Sequence, residues 1–181
     1  MRNPPTLILA LALGACTCLA GAQEANRRGG PGAPGDDASF VQQASAAGLA
    51  EVQLGQLAAT QAQSSAVKQF GELMVKDHDA ANQELAAIAK GKGYTVAKAP
   101  MPADQAATQQ LQAAEGAAFD PAFVRKMVSD HRKAAALFQQ EAQQGKDPQV
   151  QAFARKTLPV IEHHLAMAKA LNKGGNAPVA E

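Results

Sequence analysis

Apolar residues recur at spacings of three and four over most of the chain from Ala38 onward. This spacing places them on one face of a helix, whereas a half-buried strand would need strict alternation. The pattern therefore predicts four long amphipathic helices, at approximately 38–62, 66–90, 121–144 and 148–171. A weaker helical pattern from about Asp104 to Glu115 predicts a short extra helix in the connection between the second and third blocks.

Turn and capping residues separate the four blocks. Asp120-Pro121 and Asp147-Pro148 each offer a side-chain acceptor followed by a proline at the first helical position, where no N–H is missed. Ser64-Ser65 offers a similar capping pair before the second block. Because short turns join blocks one and two and blocks three and four, we expect two antiparallel hairpins that pack as an all-α four-helix bundle.

The first 22 residues have the pattern of a signal peptide. Arg2 precedes the apolar run Thr6 to Leu13, and the segment ends in the small residues Ala20-Gly21-Ala22. The run is too short for a membrane-spanning helix, which needs about 20 apolar residues. The sequence therefore predicts export to the periplasm or the cell exterior. Since Cys16 and Cys18 lie within this segment, the mature chain would have no thiol.

A second interpretation of the N-terminal segment stays open. The run Leu13-Gly14-Ala15-Cys16 resembles a bacterial lipobox, in which Cys16 would carry a lipid and give the chain its only membrane attachment. Residues 23–37 are rich in Gly and Pro and predict a flexible linker, and residues 172–181 predict a flexible tail. The bundle is thereby assigned to residues 38–171.

Composition narrows the classes of function. The 181 residues suit one domain, and the net charge of +1 with only 4% aromatic residues argues against a nucleic-acid partner. The chain contains no Walker loop and no nucleophile elbow. A binding or accessory protein is therefore favoured over an enzyme.

Each predicted long helix carries one titratable residue on its apolar face. These residues are Glu51, His78, His131 and His164, whereas His163 points away from the core. If blocks one and three begin at the same end of the bundle, the four residues lie within about two helical turns of one level. A buried carboxylate needs a hydrogen-bonding or cationic partner, so we expect the four side chains to converge.

The expected cluster has two interpretations. In the first, Glu51 and the three imidazoles bind a transition metal such as zinc, iron, copper or nickel. Asp77, Asp130 and Glu141 would then accept hydrogen bonds from the ring N–H groups. In the second, the same side chains form a hydrogen-bonded network that fixes the helix register without a ligand. A proline inside the fourth block, Pro159, also predicts a kink or broken turn before the last of these histidines.

Several short motifs resemble those of one protein family. The motif Met74-Val-Lys-Asp77-His78 recurs as Met127-Val-Ser-Asp130-His131, and both accompany the runs Phe40-Val-Gln-Gln-Ala, Gly48-Leu-Ala-Glu51 and His164-Leu-Ala166. Over about Ser39 to Leu171 the chain is similar to the bacterial domain of unknown function 4142. That family consists of exported proteins similar to the ferritin-like superfamily. The resemblance implies a ferritin-like four-helix bundle and no established activity.

The chain departs from the di-iron members of that superfamily. Those proteins carry a Glu-x-x-His motif on two helices. In this chain no glutamate is followed by a histidine three residues later, so iron storage and oxygen activation are not carried over. The sequence predicts an exported helical-bundle protein with a polar core, acting in binding or envelope stress. A transition-metal-binding protein is the alternative.

Overall fold

The computed structural model describes residues 36–114 and 116–174, which form five α-helices and one short 3-10 turn at Gly116–Ala118. The helices are α1 (Asp37–Gln61), α2 (Ser65–Lys92), α3 (Pro102–Gln112), α4 (Phe119–Gln144) and α5 (Pro148–Asn172). The bounds of the four long helices agree with the predicted blocks to within two residues. The described residues contain no strand. The predicted signal peptide and almost all of the predicted linker and tail lie outside the described residues.

The four long helices form a bundle of two hairpins. α1 packs along α2, and α4 packs along α5. The bundle closes through contacts of α2 with α5 and of α1 with α4, and the short α3 lies over α1 and α4. This arrangement confirms the all-α, ferritin-like four-helix bundle with an extra helix in the long connection.

The long connection between α2 and α4 runs along α1. The backbone N–H of Ala97 donates to Oγ of Ser45 at 2.8 Å, and Nε2 of Gln61 donates to the carbonyl of Gln112 at 3.0 Å. Ser45 lies in the first half of α1 and Gln61 at its end. The connection therefore crosses from one end of the bundle to the other before α4 begins.

Two aspartates tie each hairpin to the turn of the other. The carboxylate of Asp120, in the first turn of α4, accepts hydrogen bonds from the backbone N–H groups of Gln63 and Ser64, at 3.0 and 2.8 Å. Asp37, the first residue of α1, accepts in the same way from the backbone of residues 146 and 147, at 2.8 and 3.0 Å. α4 thus begins at the end of the bundle where α1 stops, so α1 and α4 run antiparallel.

The helix starts differ in detail from the prediction. Asp147 caps α5 as predicted, accepting from the N–H groups of Gln149 and Val150. Asp120 is not the N-cap of α4, which begins one residue earlier at Phe119. The Asp120 carboxylate instead accepts a hydrogen bond from the backbone N–H of Ser64, the residue before α2. The side chain of Ser64 makes no cap hydrogen bond.

Of the kink or broken turn predicted at Pro159, the broken turn is absent. α5 continues through Pro159 as one helix from Pro148 to Asn172. Proline removes one backbone donor, which leaves the carbonyl of Arg155 without its helical partner. Both residues lie on the exposed side of α5, where water can solvate this carbonyl. The bundle therefore accommodates the proline without a break.

Glycines allow α1 and α2 to approach closely. A Cβ atom placed on Gly55 would lie 2.7 Å from the carbonyl oxygen of Gly71, and the reverse substitution meets the carbonyl of Gly55 at the same distance. Only a residue without a side chain fits this crossing. The narrow α1–α2 interface brings the inner face of α1 onto the core.

The apolar core is divided into two clusters by a polar layer. One cluster surrounds Phe70 and Phe123, and the other surrounds Phe40, Phe138 and Phe153. Along each long helix, one titratable residue separates the positions that belong to the two clusters: Glu51 on α1, His78 on α2, His131 on α4 and His164 on α5. The polar layer therefore lies inside the bundle rather than at its ends.

None of the described helices combines the length and the apolar character that crossing a bilayer requires.

Replacing Asp120 by alanine should destabilise the bundle. The substitution leaves the N–H groups of Gln63 and Ser64 without their acceptor, and hydrogen bonds to a charged group contribute about 1–2 kcal/mol. Urea unfolding should show this loss for Asp120→Ala. Asp79→Ala, which changes an exposed aspartate on α2, should stay within about 0.5 kcal/mol of the parent chain. Equal stability of the two variants would contradict the role assigned to Asp120.

Candidate metal centre

Three of the four predicted residues converge in the polar layer. The imidazole rings of His78, His131 and His164 form a nearly equilateral triangle, with centroid separations of 5.7, 5.4 and 5.5 Å. One nitrogen from each ring lies within 4.8 Å of the nitrogens of the other two. His131 and His164 are buried, and His78 is partly buried. In the part of the chain that the structure describes, this is the only group of three or more His, Cys, Asp or Glu side chains with ligand atoms this close.

Hydrogen bonds set which nitrogen of two rings carries the proton. Nδ1 of His131 donates to the carbonyl of Met127 at 3.0 Å, which leaves its Nε2 unprotonated. Nε2 of His164 donates to Oδ2 of Asp77 at 3.0 Å, which leaves its Nδ1 unprotonated. Each ring is thus oriented by an outer acceptor and directs its lone pair inward.

The inward nitrogens have no protein partner. Nε2 of His78, Nε2 of His131 and Nδ1 of His164 are all buried, and among the described residues none of them has a hydrogen-bond partner. Buried polar groups in folded proteins are nearly always hydrogen-bonded, because leaving one unpaired costs about 1–3 kcal/mol. The three rings that carry these nitrogens also offer ligand atoms within 4.8 Å of one another, which is a set suited to a cation.

Burial keeps the three imidazoles neutral. It lowers the pKa of His131 to about 4, and the neighbouring His164 acts in the same direction. Burial also lowers the pKa of His78 well below its usual value, with further contributions from His131 and His164. The pKa of His164 is lowered by burial as well, and its bond to Asp77 partly offsets this. A neutral imidazole is the form that ligates a metal.

Helix direction explains why the three rings meet. The prediction placed the starts of the first and third blocks at the same end, and this part of it is wrong. Measured from the α1–α2 turn, His78 lies thirteen residues into α2 and His131 twelve residues into α4. α5 ends at this side of the bundle, and His164 lies eight residues before that end. Side chains lean toward the N-terminus of their helix, so the side chain of His164 leans away from the α1–α2 turn, whereas those of His78 and His131 lean toward it. The three rings therefore meet.

Glu51 does not join the three histidines. It is buried in the same layer, yet it lies outside the group of converging ligand atoms. Burial raises the pKa of Glu51 to about 8, with Asp130 and Asp104 adding to the rise and Lys126 opposing it. Its neighbours are thus the charged groups of α3 and α4. The expectation that all four residues share one centre is not met.

Of the three predicted outer acceptors, only Asp77 contacts a histidine ring. Asp130 instead pairs with Lys126 at 2.6 Å and with Lys133 at 3.8 Å. Glu141 lies ten residues beyond His131 on α4, about 15 Å along the helix axis. Burial raises the pKa of Glu141 to about 7, and a hydrogen bond to Asp37 adds to this. Glu141 therefore belongs to the end of the bundle and not to the polar layer.

A local signal in the sequence distinguishes Asp130 from Asp77. Lys126 lies four residues before Asp130, at the spacing that forms ion pairs on one helix face, whereas Leu73 occupies the equivalent position before Asp77. Lys126 also reaches Asp104 on α3, at 3.1 Å. Because Lys126 pairs with Asp130, this aspartate does not bond to a histidine ring. The prediction overlooked this ion pair.

His163 lies outside the centre, as predicted. It is exposed on α5, next to the buried His164. Adjacent residues on a helix point about 100° apart, so only one of the two can face the core. His163 is consequently a matched control for substitutions of the three buried histidines.

Comparison with known proteins places the chain among helical proteins without an assigned activity. A family model described as "Domain of unknown function (DUF4142)" matches residues 22–171. No match is found among curated proteins. A DUF305 fragment from Deinococcus radiodurans has a similar structure, with a TM-score of 0.69 and 15% identity, over 80% of this chain and 99% of that one.

A second similar structure is CopM in its Cu(II)-bound form. Its TM-score is 0.64 at 17% identity, over 77% of this chain and 98% of CopM. At such identities both likenesses establish the fold alone. Both support a helical-bundle fold.

Glu51→Gln should stabilise the protein at neutral and alkaline pH. The raised pKa means that Glu51 keeps its proton in the folded state and loses it on unfolding, so its contribution is fully present below about pH 4.5 and is lost as pH rises through about 8. Glutamine cannot ionise, so the variant does not lose this stability as the pH rises. The free energies of unfolding should be similar near pH 4.5 and should differ by about 3 kcal/mol in favour of Gln at pH 7.

Chemical denaturation of both proteins between pH 4.5 and 8, in a buffer without amines or metals, measures this difference. Glu72→Gln, on the exposed side of α2, is the control and should show no pH-dependent gain. A constant difference across the pH range would show that the Glu51 carboxyl is not held neutral by the fold.

Proposed function

The chain belongs to the family of the domain of unknown function DUF4142, and we propose that it is an exported protein that binds one transition-metal ion between His78, His131 and His164. One observation carries the proposal. Three neutral imidazoles offer ligand atoms within 4.8 Å of one another, and each ring has a buried nitrogen without a hydrogen-bond partner among the described residues. A metal ion would supply the missing partner for all three at once.

The donor set fits a first-row transition metal. Imidazole nitrogens bind zinc, copper, nickel and iron, and nitrogen ligands lie about 2.0–2.1 Å from the metal. In a four-coordinate site such nitrogens are about 3.4 Å apart. The observed separations are no greater than 4.8 Å, so small rotations of the rings would complete the site. Without a carboxylate in the group, iron is less suited than copper or zinc.

Copper is the first metal to test. The structurally similar CopM holds Cu(II), and imidazole ligands suit that ion. Three protein ligands would leave a fourth position for water or a small ligand, which is the arrangement of open zinc and copper sites. We propose binding of the ion as the activity, since no carboxylate of the described residues joins the three imidazoles.

Asp77 would position one ligand. Its carboxylate accepts the Nε2–H of His164 and so directs Nδ1 of that ring inward. Acceptors of this kind raise the basicity of a ligating imidazole, and their loss typically costs 10–100-fold in metal affinity.

Metal titration of protein made without a polyhistidine tag tests the proposal. After removal of metal with a chelator, the parent chain should take up one Cu(II) or Zn(II) per molecule. His78→Ala, His131→Ala and His164→Ala should each weaken binding by at least about 100-fold, and Asp77→Asn by about tenfold or more. His163→Ala should leave the affinity unchanged.

The alternative role of the three histidines is a purely structural one. In that case the variants would lose stability, and the parent chain would bind no metal stoichiometrically. Circular dichroism of each variant separates a lost ligand from a lost fold. Binding that survives in all three alanine variants would place the metal elsewhere and contradict the assignment.

Export is the second part of the proposal and rests on the signal-peptide pattern of residues 1–22. The mass of the mature protein tests it in a bacterial host. Cleavage after Ala22 should give a chain that begins at Gln23, whereas processing as a lipoprotein should give a lipid-bearing Cys16. Recovery of the unprocessed chain in the cytoplasm would contradict export.

A further inference from the structure

A cavity of about 260 Å³ lies between α1 and α4, and the three histidines are not among its lining residues. Its polar lining consists of Gln43, Glu51, Asp104, Asp130 and Lys133, and its apolar lining includes Ala50, Ala134 and Leu137. Met101, 52% exposed, lies at the rim. The metal centre proposed above does not use this cavity.

The carboxyl group of Glu51 is the unexplained feature of this cavity. Glu51 is only 6% exposed, and its Oε2 atom is buried with no hydrogen-bond partner among the described residues. The neighbouring acids are satisfied, because Nζ of Lys126 bonds to Asp104 at 3.1 Å and to Asp130 at 2.6 Å. One buried acid therefore has no counterpart while the two beside it share a lysine.

The local potential at Glu51 favours positive charge. Asp130 and Asp104 both disfavour its ionisation, and Lys126 only partly offsets them. Lys133 also faces the cavity, but its side chain is 77% exposed and its charge is well screened. At neutral pH the Glu51 carboxyl group carries a proton, which supplies the positive charge. Any cation that reaches Glu51 competes with that proton for the same carboxyl group.

The shape of the cavity restricts the kind of cation. The carboxylates do not converge closely enough to form a metal-ligand group. The alanine and leucine walls instead offer apolar surface to a short aliphatic chain. A volume of about 260 Å³ is slightly below that of pockets for drug-sized ligands, so it suits a molecule of only several heavy atoms.

We propose that this cavity is a binding site for a small aliphatic primary amine, with the ammonium group on the Glu51 carboxylate and the alkyl chain along Ala50, Ala134 and Leu137. Lys126 already shows that an alkylammonium group is accommodated by the adjacent acids. Binding exchanges one cation for another: the protonated amine enters, Glu51 gives up its proton to solvent, and no other bond changes. The site is independent of the metal centre.

Calorimetric titration with 1-aminobutane at pH 7, in phosphate buffer, tests the proposal. We expect saturable binding of one amine per chain, while 1-butanol, which has the same kind of alkyl chain without the charge, should not bind. Glu51→Gln should weaken amine binding by at least about tenfold, because a charge-assisted hydrogen bond is lost. The matched variant Glu72→Gln should bind like the parent chain.

Proton release gives a second readout. Repeating the titration in buffers of different ionisation enthalpy should reveal close to one proton released per amine bound at pH 7, and none in Glu51→Gln. Since Glu51→Gln is expected to be the more stable protein, lost binding cannot be attributed to unfolding. His131→Ala should retain amine binding, which separates this site from the metal centre.

Three outcomes would overturn the proposal. The first is the absence of saturable binding by the parent chain. The second is equal affinity in the parent chain and in Glu51→Gln, which would indicate general attraction to a charged surface. The third is displacement of the amine by Mg²⁺ at equal concentration, which would identify a site for inorganic cations instead.

Discussion

The structure depends on a layer of ionisable side chains held inside an otherwise apolar bundle. Removing such groups from water is costly unless each finds a partner. The fold meets this requirement for the outer nitrogens of His131 and His164 through Met127 and Asp77. One nitrogen of each of the three histidines and one oxygen of Glu51 have no hydrogen-bond partner among the described residues. Those unpaired atoms are the clearest indication of function in the molecule.

The unpaired histidine nitrogens and the unpaired Glu51 oxygen belong to separate parts of the polar layer. The bundle places α2, α4 and α5 around the histidines, while α1 faces α4 beneath the long connection. Glu51 therefore lies among Asp104, Lys126 and Asp130 rather than among the imidazoles. One polar layer thus supports two chemically different sites, a neutral nitrogen cluster and an acidic cavity. This difference in charge is the reason for proposing a metal ion at the first and an organic cation at the second.

Much of this arrangement could be predicted from the sequence. The three- and four-residue spacing of apolar positions gave the helices, and the placement of His78, His131 and His164 within that spacing showed that they face the core. The partners of Glu51 could not be predicted in this way, because they depend on which helices are neighbours and on their direction. Asp120 and Asp37 fix that direction, because their carboxylates bond to turn residues that are far away in sequence. Asp130 was likewise misplaced because its motif matches that of Asp77, although Lys126 already pairs with it.

X-ray absorption spectroscopy of the copper-loaded protein tests the central claim most directly, because it reports the atoms around the ion itself. The account predicts three imidazole nitrogens at about 2.0 Å in the parent chain and two in His131→Ala. A spectrum with one imidazole or none, or one that is unchanged by His131→Ala, would contradict the claim that the buried histidines form the metal centre.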